Sequence, residues 1–168
     1  MKTLFLVQNK WTTLCCLATA LLPLMAIGCS SNLKTEGVVI TMERTACYGT
    51  CPVYTLMVKG DGTVIYDGKD FVKVKGKQIT NISKDKIKQL VEEFYEIDYF
   101  SFEDSYTYKV NDDGSRTVVQ DLPTTKTSIT IEGKTKSVDN YYGAPEKLKA
   151  LEDKIDEMCN SKQWVKGG

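Results

Sequence analysis

The sequence predicts an α+β domain built on an antiparallel sheet of about six strands: a four-strand meander, a helix, a hairpin and a last helix, with the helices on one face. Three observations carry this. Between Val38 and Lys75, and again between Thr127 and Val138, apolar residues recur at every second position, the period of a half-buried strand. From Ser83 to Phe94 and from Pro145 to Met158 the spacing changes to three and four, the period of one buried helix face. Glycine beside an acidic residue separates the period-two runs, where a tight turn needs residues that tolerate positive φ.

The first residues read as an export signal that precedes the domain. Lys2 and Lys10 give a positive start, Trp11 to Gly28 carries no charge, and Ala26-Ile27-Gly28 stands directly before Cys29. Residues 1–28 thus resemble a lipoprotein signal peptide, in which Cys29 takes the lipid and becomes the mature N-terminus. Pro23 and the Gly28-Cys29 junction favour cleavage over an uncleaved membrane anchor. Residues 29–36 are then a lipidated tether, 37–160 a single domain and 161–168 a C-terminal tail. So short a tether keeps the domain close to its bilayer. Ser30 is not the aspartate that would retain a lipoprotein in the inner membrane. The expected location is therefore the cell envelope, on the outer membrane where the organism has two.

Within the domain, Val38, Ile40 and Met42 share one face of a first strand. A second follows Pro52, with Tyr54, Leu56 and Val58 together, and Gly60-Asp61-Gly62 turns it into Thr63 to Asp67. Phe71 to Lys75 alternates again as the fourth strand, Val72 and Val74 inward. Ser83 caps a helix that buries Ile87, Leu90, Val91 and Phe94. An aromatic stretch from Tyr95 to Tyr108 and a polar run from Asn111 to Lys126 follow as the least regular part. Thr127 to Ile131 and Lys134 to Val138 form the hairpin through Glu132-Gly133. The last helix starts near Pro145, buries Leu148, Leu151, Ile155 and Met158, and ends at Asn160.

Composition narrows the chemistry. The 22 basic residues balance 22 acidic ones, and removal of Lys2 and Lys10 with the signal leaves a slightly acidic chain, so no nucleic-acid partner is expected. Histidine is absent, which removes the commonest general base, metal ligand and partner of a catalytic nucleophile. The reading therefore turns away from an enzyme, a bound metal or another cofactor. Glu103-Asp104 and Glu92-Glu93 are solvated acidic pairs on this reading, and Asp61-Gly62 and Asp112-Asp113-Gly114 are turns. A hydrolase with carboxylates elsewhere is a third reading, without a site.

The most distinctive run is Cys47-Tyr48-Gly49-Thr50-Cys51-Pro52-Val53-Tyr54. Outside the cytoplasm a close pair oxidises, so Cys47 and Cys51 are expected to form a disulfide, with Cys159 left over. Gly49 permits the turn that such a short loop requires. The spacing is also similar to the copper-site motif of Sco-type chaperones, but those rely on a distant histidine that this chain lacks. Together with Asp61-Gly62, Tyr66 and Gly68, the run resembles the signature of a bacterial family known as domain of unknown function 6438, over roughly Val38 to Met158. The resemblance implies one compact domain in lipoproteins or secreted proteins and brings no activity with it. The expected function is a membrane-anchored envelope lipoprotein whose domain binds a protein or envelope component without catalysis. The alternative is a periplasmic thiol-redox or copper-handling protein working through Cys47 and Cys51. Tyr48, at the tip of the loop, and Tyr106 and Tyr108 are candidates for the binding surface.

Overall fold

A computed structural model describes residues 33–165; residues 1–28, expected to be a signal peptide, and Cys29 with the first half of the expected tether, 29–32, lie outside the described residues. The domain is α+β, with a large, mostly antiparallel sheet and its helices on one face. Strands β1 (Val39–Arg44), β2 (Val53–Lys59), β3 (Thr63–Asp70) and β4 (Gly76–Asn81) form the expected meander, and β8 (Thr125–Ile131) and β9 (Lys134–Tyr142) form the hairpin. The hairpin docks on the other side of β1, so Met42 lies between Leu56 and Thr127 in register.

Helices α1 (Lys84–Glu96) and α2 (Glu146–Cys159) cover the face that presents Ile40, Met42, Leu56, Val58, Val64 and Ile129. Every apolar position predicted for α1 is fully buried. Its N-cap Ser83 accepts a hydrogen bond from the Lys86 N–H, and Asn160 closes α2 with a left-handed backbone, φ 52°. The opposite face of the sheet carries Thr41, Met57, Ile65, Ile79 and Ser128 and stays open.

Three elements differ from the sequence expectation. Phe71 to Lys75, expected as the fourth strand, is the turn between β3 and β4, and the strand itself comes later. Val72 and Val74 still pack against the core, which is why their alternation reads as a strand. Gly68 makes the turn possible: a methyl group there would collide with the Val74 carbonyl oxygen, which instead accepts from the Tyr66 hydroxyl at 3.1 Å.

Second, the aromatic stretch contributes a 3-10 turn (Tyr99–Ser101) and a seventh strand, β5 (Ser105–Thr107), parallel to β9 at the sheet edge. A three-residue strand has no readable period. The polar run beyond it folds partly into a ribbon of β6 (Lys109–Val110) and β7 (Arg116–Thr117). Third, the residues past Asn160 are not a tail. A short helix, α3 (Lys162–Val165), brings Trp164 onto the ring of Tyr66 at 4.9 Å between centroids, and the Val74 N–H donates to the Trp164 carbonyl at 3.0 Å.

The sheet has two ends that carry different loops. Gly37, the Gly60–Asp61 turn and the β8–β9 turn lie where residues 33–36 lead into β1. At the other end lie the residues between β1 and β2, the turn 71–75 and the loop 118–124.

Candidate functional site

At that far end the cysteine loop joins two strands that are already paired, since Arg44 faces Tyr54 in the β1–β2 ladder. Cys47 and Cys51 stand at disulfide distance, with Cα atoms 5.7 Å apart. The Gly49 N–H donates to the Cys47 carbonyl at 2.8 Å, which holds the turn between them. The loop leans on the segment before β8: the Thr45 N–H donates to the Thr124 carbonyl at 3.0 Å and the Tyr48 N–H to the Asp121 carbonyl at 3.3 Å. The Tyr48 side chain points away from all of this and is 90 % exposed.

Below the corner is a polar cluster that sequence reasoning did not single out. Arg44 donates through Nη2 to Asp156 Oδ2 at 2.7 Å, through Nε to Asp156 Oδ2 and Tyr54 Oη at 3.0 Å each, and through Nη1 to Thr125 Oγ1 at 3.2 Å. Tyr54 donates its hydroxyl proton to Asp156 Oδ1 at 2.7 Å, and Ser161 donates to the same oxygen. Asp153 stands 3.6 Å from the guanidinium. The cluster ties the first strand, the motif tyrosine and the end of α2 together. Burial and the Asp156 charge both push the Tyr54 phenol well above its ordinary range, so it stays a donor at any physiological pH. Burial alone pulls Arg44 down, but Asp156 and Tyr54 outweigh it and hold the guanidinium charged.

These residues, with Pro52, Lys162 and Val165, line an open cleft of about 450 Å³. It offers a guanidinium edge, two carboxylates and an ammonium group, a lining suited to holding a polar partner by paired charges and hydrogen bonds. One turn before Asp156 on α2, Glu152 is buried as well, and Asn140 Nδ2 donates to both of its oxygens at 3.0 and 3.1 Å. Burial pushes Glu152 up to about 7 despite that hydrogen bond and the charge of Arg44. Cys159 is a free thiol inside the core, where burial pushes it up to about 12 and so keeps it protonated.

The tyrosines singled out in the sequence are divided between two places. Tyr48 borders a groove of about 460 Å³ with Asp121, Leu122 and Tyr141. Tyr106 and Tyr108 line a different groove, of about 560 Å³, along the edge strand β5. Tyr106 is half-buried and edge-on to Phe102, whereas Tyr108 is 37 % exposed with the Arg116 guanidinium 4.3 Å from its ring centre. The rest of the aromatic stretch is largely core: Tyr99 and Phe102 are buried, and the Tyr99 hydroxyl donates to the Thr127 carbonyl.

Sequence signals for the missed residues existed. Arg44 continues the inward parity of Ile40 and Met42, and a charge at such a position demands a buried partner. Glu152 occupies the i+4 place of the stripe that begins at Leu148.

Among known families, the one described as a domain of unknown function (DUF6438) matches over residues 38–159. The matched span holds the cysteine run, Tyr54, Tyr66, Gly68 and the acids of α2. No curated protein matches the chain.

Proposed function

The chain belongs to the DUF6438 family, whose description carries no activity, and on its own residues we propose that it is a lipid-anchored protein of the cell envelope whose domain holds a partner at the end of the sheet remote from its anchor. Cys29 takes the lipid in this reading, and the outer membrane is the destination in a cell with two membranes. The observation that carries the proposal is the polarity of the sheet. The tether reaches the domain beside Gly60 and Asp61, while the cysteine corner, the charged cleft and the grooves of Tyr48 and Tyr108 lie at the opposite strand ends. Among the described residues, five of the eight large apolar side chains left exposed, Tyr48, Phe71, Tyr108, Val110 and Val118, lie in the loops and ribbon beyond those far strand ends. A domain tethered by so few residues then turns its richest surface away from the bilayer.

Cys47 and Cys51 act here as a covalent brace on that surface. The support is their place between two strands in register, flanked by backbone hydrogen bonds to the loop that borders the Tyr48 groove.

Two measurements test the reading separately. Fatty-acid labelling should mark the wild-type protein and fail in a Cys29→Ala variant; label retained in the variant overturns the anchor. A photo-crosslinking residue at Tyr48 should trap a discrete adduct in intact cells, and the same residue at Asp61 should not. Equal trapping from both ends overturns the assignment of the far surface.

A further inference from the structure

Among the described residues the large sheet ends in two unpaired edges, and they are built differently. Strand β5 is three residues long and its register shifts between Tyr106 and Thr107, so short length and irregularity blunt that edge. Strand β4 has neither device. Its six residues, Gly76–Asn81, pair with β3 in unbroken register, contain no proline and, among the described residues, make no hydrogen bond except to β3. The side away from β3 therefore offers a row of backbone donors and acceptors to an incoming strand. On the open face, Ile79 ends the in-register row Met57, Ile65, Ile79 and is 68 % exposed. Two positions earlier on the same face stands Lys77, whose cross-strand neighbour Asp67 is taken by Lys69 at 2.6 Å. Residues 67–77 hold four lysines against two aspartates, and the second aspartate, Asp70, pairs with Lys75 at 2.8 Å. Among the described residues, Lys73 and Lys77 are left without an ion pair.

We propose that β4 is a docking edge for an extended peptide that carries an acidic and an apolar residue two positions apart. Such a peptide adds to β4 through main-chain hydrogen bonds and sets its acid beside Lys77 and its apolar side chain beside Ile79, because residues two apart in a strand share a face. The apolar side chain lengthens the row Met57, Ile65, Ile79 by one strand. Lys73, in the turn before β4, adds positive charge at the acid's end. The lysines also select against other occupants. A second copy paired antiparallel through Ile79 would set Lys77 opposite Asn81 and leave its charge unanswered, and a parallel copy in register would set lysine against lysine. The docking edge goes beyond the far-end reading and does not depend on it, since it uses neither Cys29 nor Tyr48.

Amide NMR on the full chain in detergent, titrated with a threonine-rich peptide of about ten residues that carries glutamate and valine two apart, tests this. Amide shifts should move at Gly76–Asn81 and stay in place at Ser105–Thr107. A peptide with lysine in place of the glutamate should bind about tenfold more weakly, and Lys77→Glu should reverse that order, because one cross-strand pair changes from attraction to repulsion. Three results each overturn the proposal: no shift in β4 by about 1 mM peptide, equal binding of both peptides to the wild-type chain, or β4 shifts that follow protein concentration without peptide, the mark of a second copy. Should the variant not fold, the two peptides compared on the wild-type chain decide.

Discussion

Asp156 and Glu152 sit one turn apart on the same face of one helix, and the sheet treats them in opposite ways. Opposite Asp156 stands Arg44, and the carboxylate collects a guanidinium and two hydroxyls. Opposite Glu152 stands Asn140, a neutral amide that cannot offset the loss of hydration. The difference teaches that a buried acid takes its character from the strand residue across from it. Here the first acid fastens the cysteine corner to α2, and burial pushes the second toward its neutral form.

Removing the partner of the first acid should have the largest effect. Arg44→Met leaves Asp156 without its cation in a site where its side chain is 13 % exposed, and the expected loss is about 3 kcal/mol, the lower part of the range for a broken buried pair. Urea denaturation at pH 7 measures it; a loss under about 1 kcal/mol would show that the pair behaves as a surface bridge.

The second acid should reveal itself through pH. Its folded value lies above the ordinary glutamate value of 4.5, at about 7. As pH climbs, the unfolded chain ionises first, so stability is full below about 4.5, declines between about 4.5 and 7 and is level above. Glu152→Gln should therefore gain about 3 kcal/mol relative to the wild type between pH 4 and pH 8. Parallel stability curves for the two proteins across that range would remove the contrast between the acids.

A smaller effect belongs to the corner itself. Reducing Cys47 and Cys51, or changing Cys47 to Ser, should cost about 2 kcal/mol, the loop-closure entropy of so short a ring. Comparing thermal midpoints with and without reductant checks it, and a pair that glutathione reduces readily would favour a redox role over a brace. Smallest is Tyr54→Phe, which removes one hydroxyl from the Asp156 cluster and should cost about 1 to 1.5 kcal/mol. In the Arg44→Met background the same change should cost measurably more or less, because the two groups share Asp156.

How much of this could be read beforehand follows the range of the interactions. Helix α1 is local: a Ser83 cap and an apolar stripe at Ile87, Leu90, Val91 and Phe94 suffice, and each lies where its spacing places it. The turn at Phe71 to Lys75 is not local. Its alternation belongs to a loop that packs Val72 and Val74 against the core and receives Trp164 from the chain end. Tyr54 stood in the distinctive run from the start, but its partners Arg44 and Asp156 lie 10 and 102 residues away, and no spacing rule reaches so far. Tyr48, Tyr106 and Tyr108, grouped by residue type, border two separate grooves, since β5 joins the sheet at the edge beyond β9 while the cysteine loop leans on the residues before β8.

The sequence by itself determined the class of fold, the register-setting turns, the helix faces, the family and the closeness of Cys47 to Cys51, because each depends on residues within a few positions of one another or on composition. Only the tertiary structure decided which strand residue faces which helix acid, that a three-residue parallel strand closes the sheet edge, and that the chain end docks its tryptophan on Tyr66. Those are contacts between distant segments whose energy is realised only when the whole core assembles, so a buried carboxylate becomes an ion-paired anchor or an acid pushed toward its neutral form according to a neighbour that the local sequence does not contain.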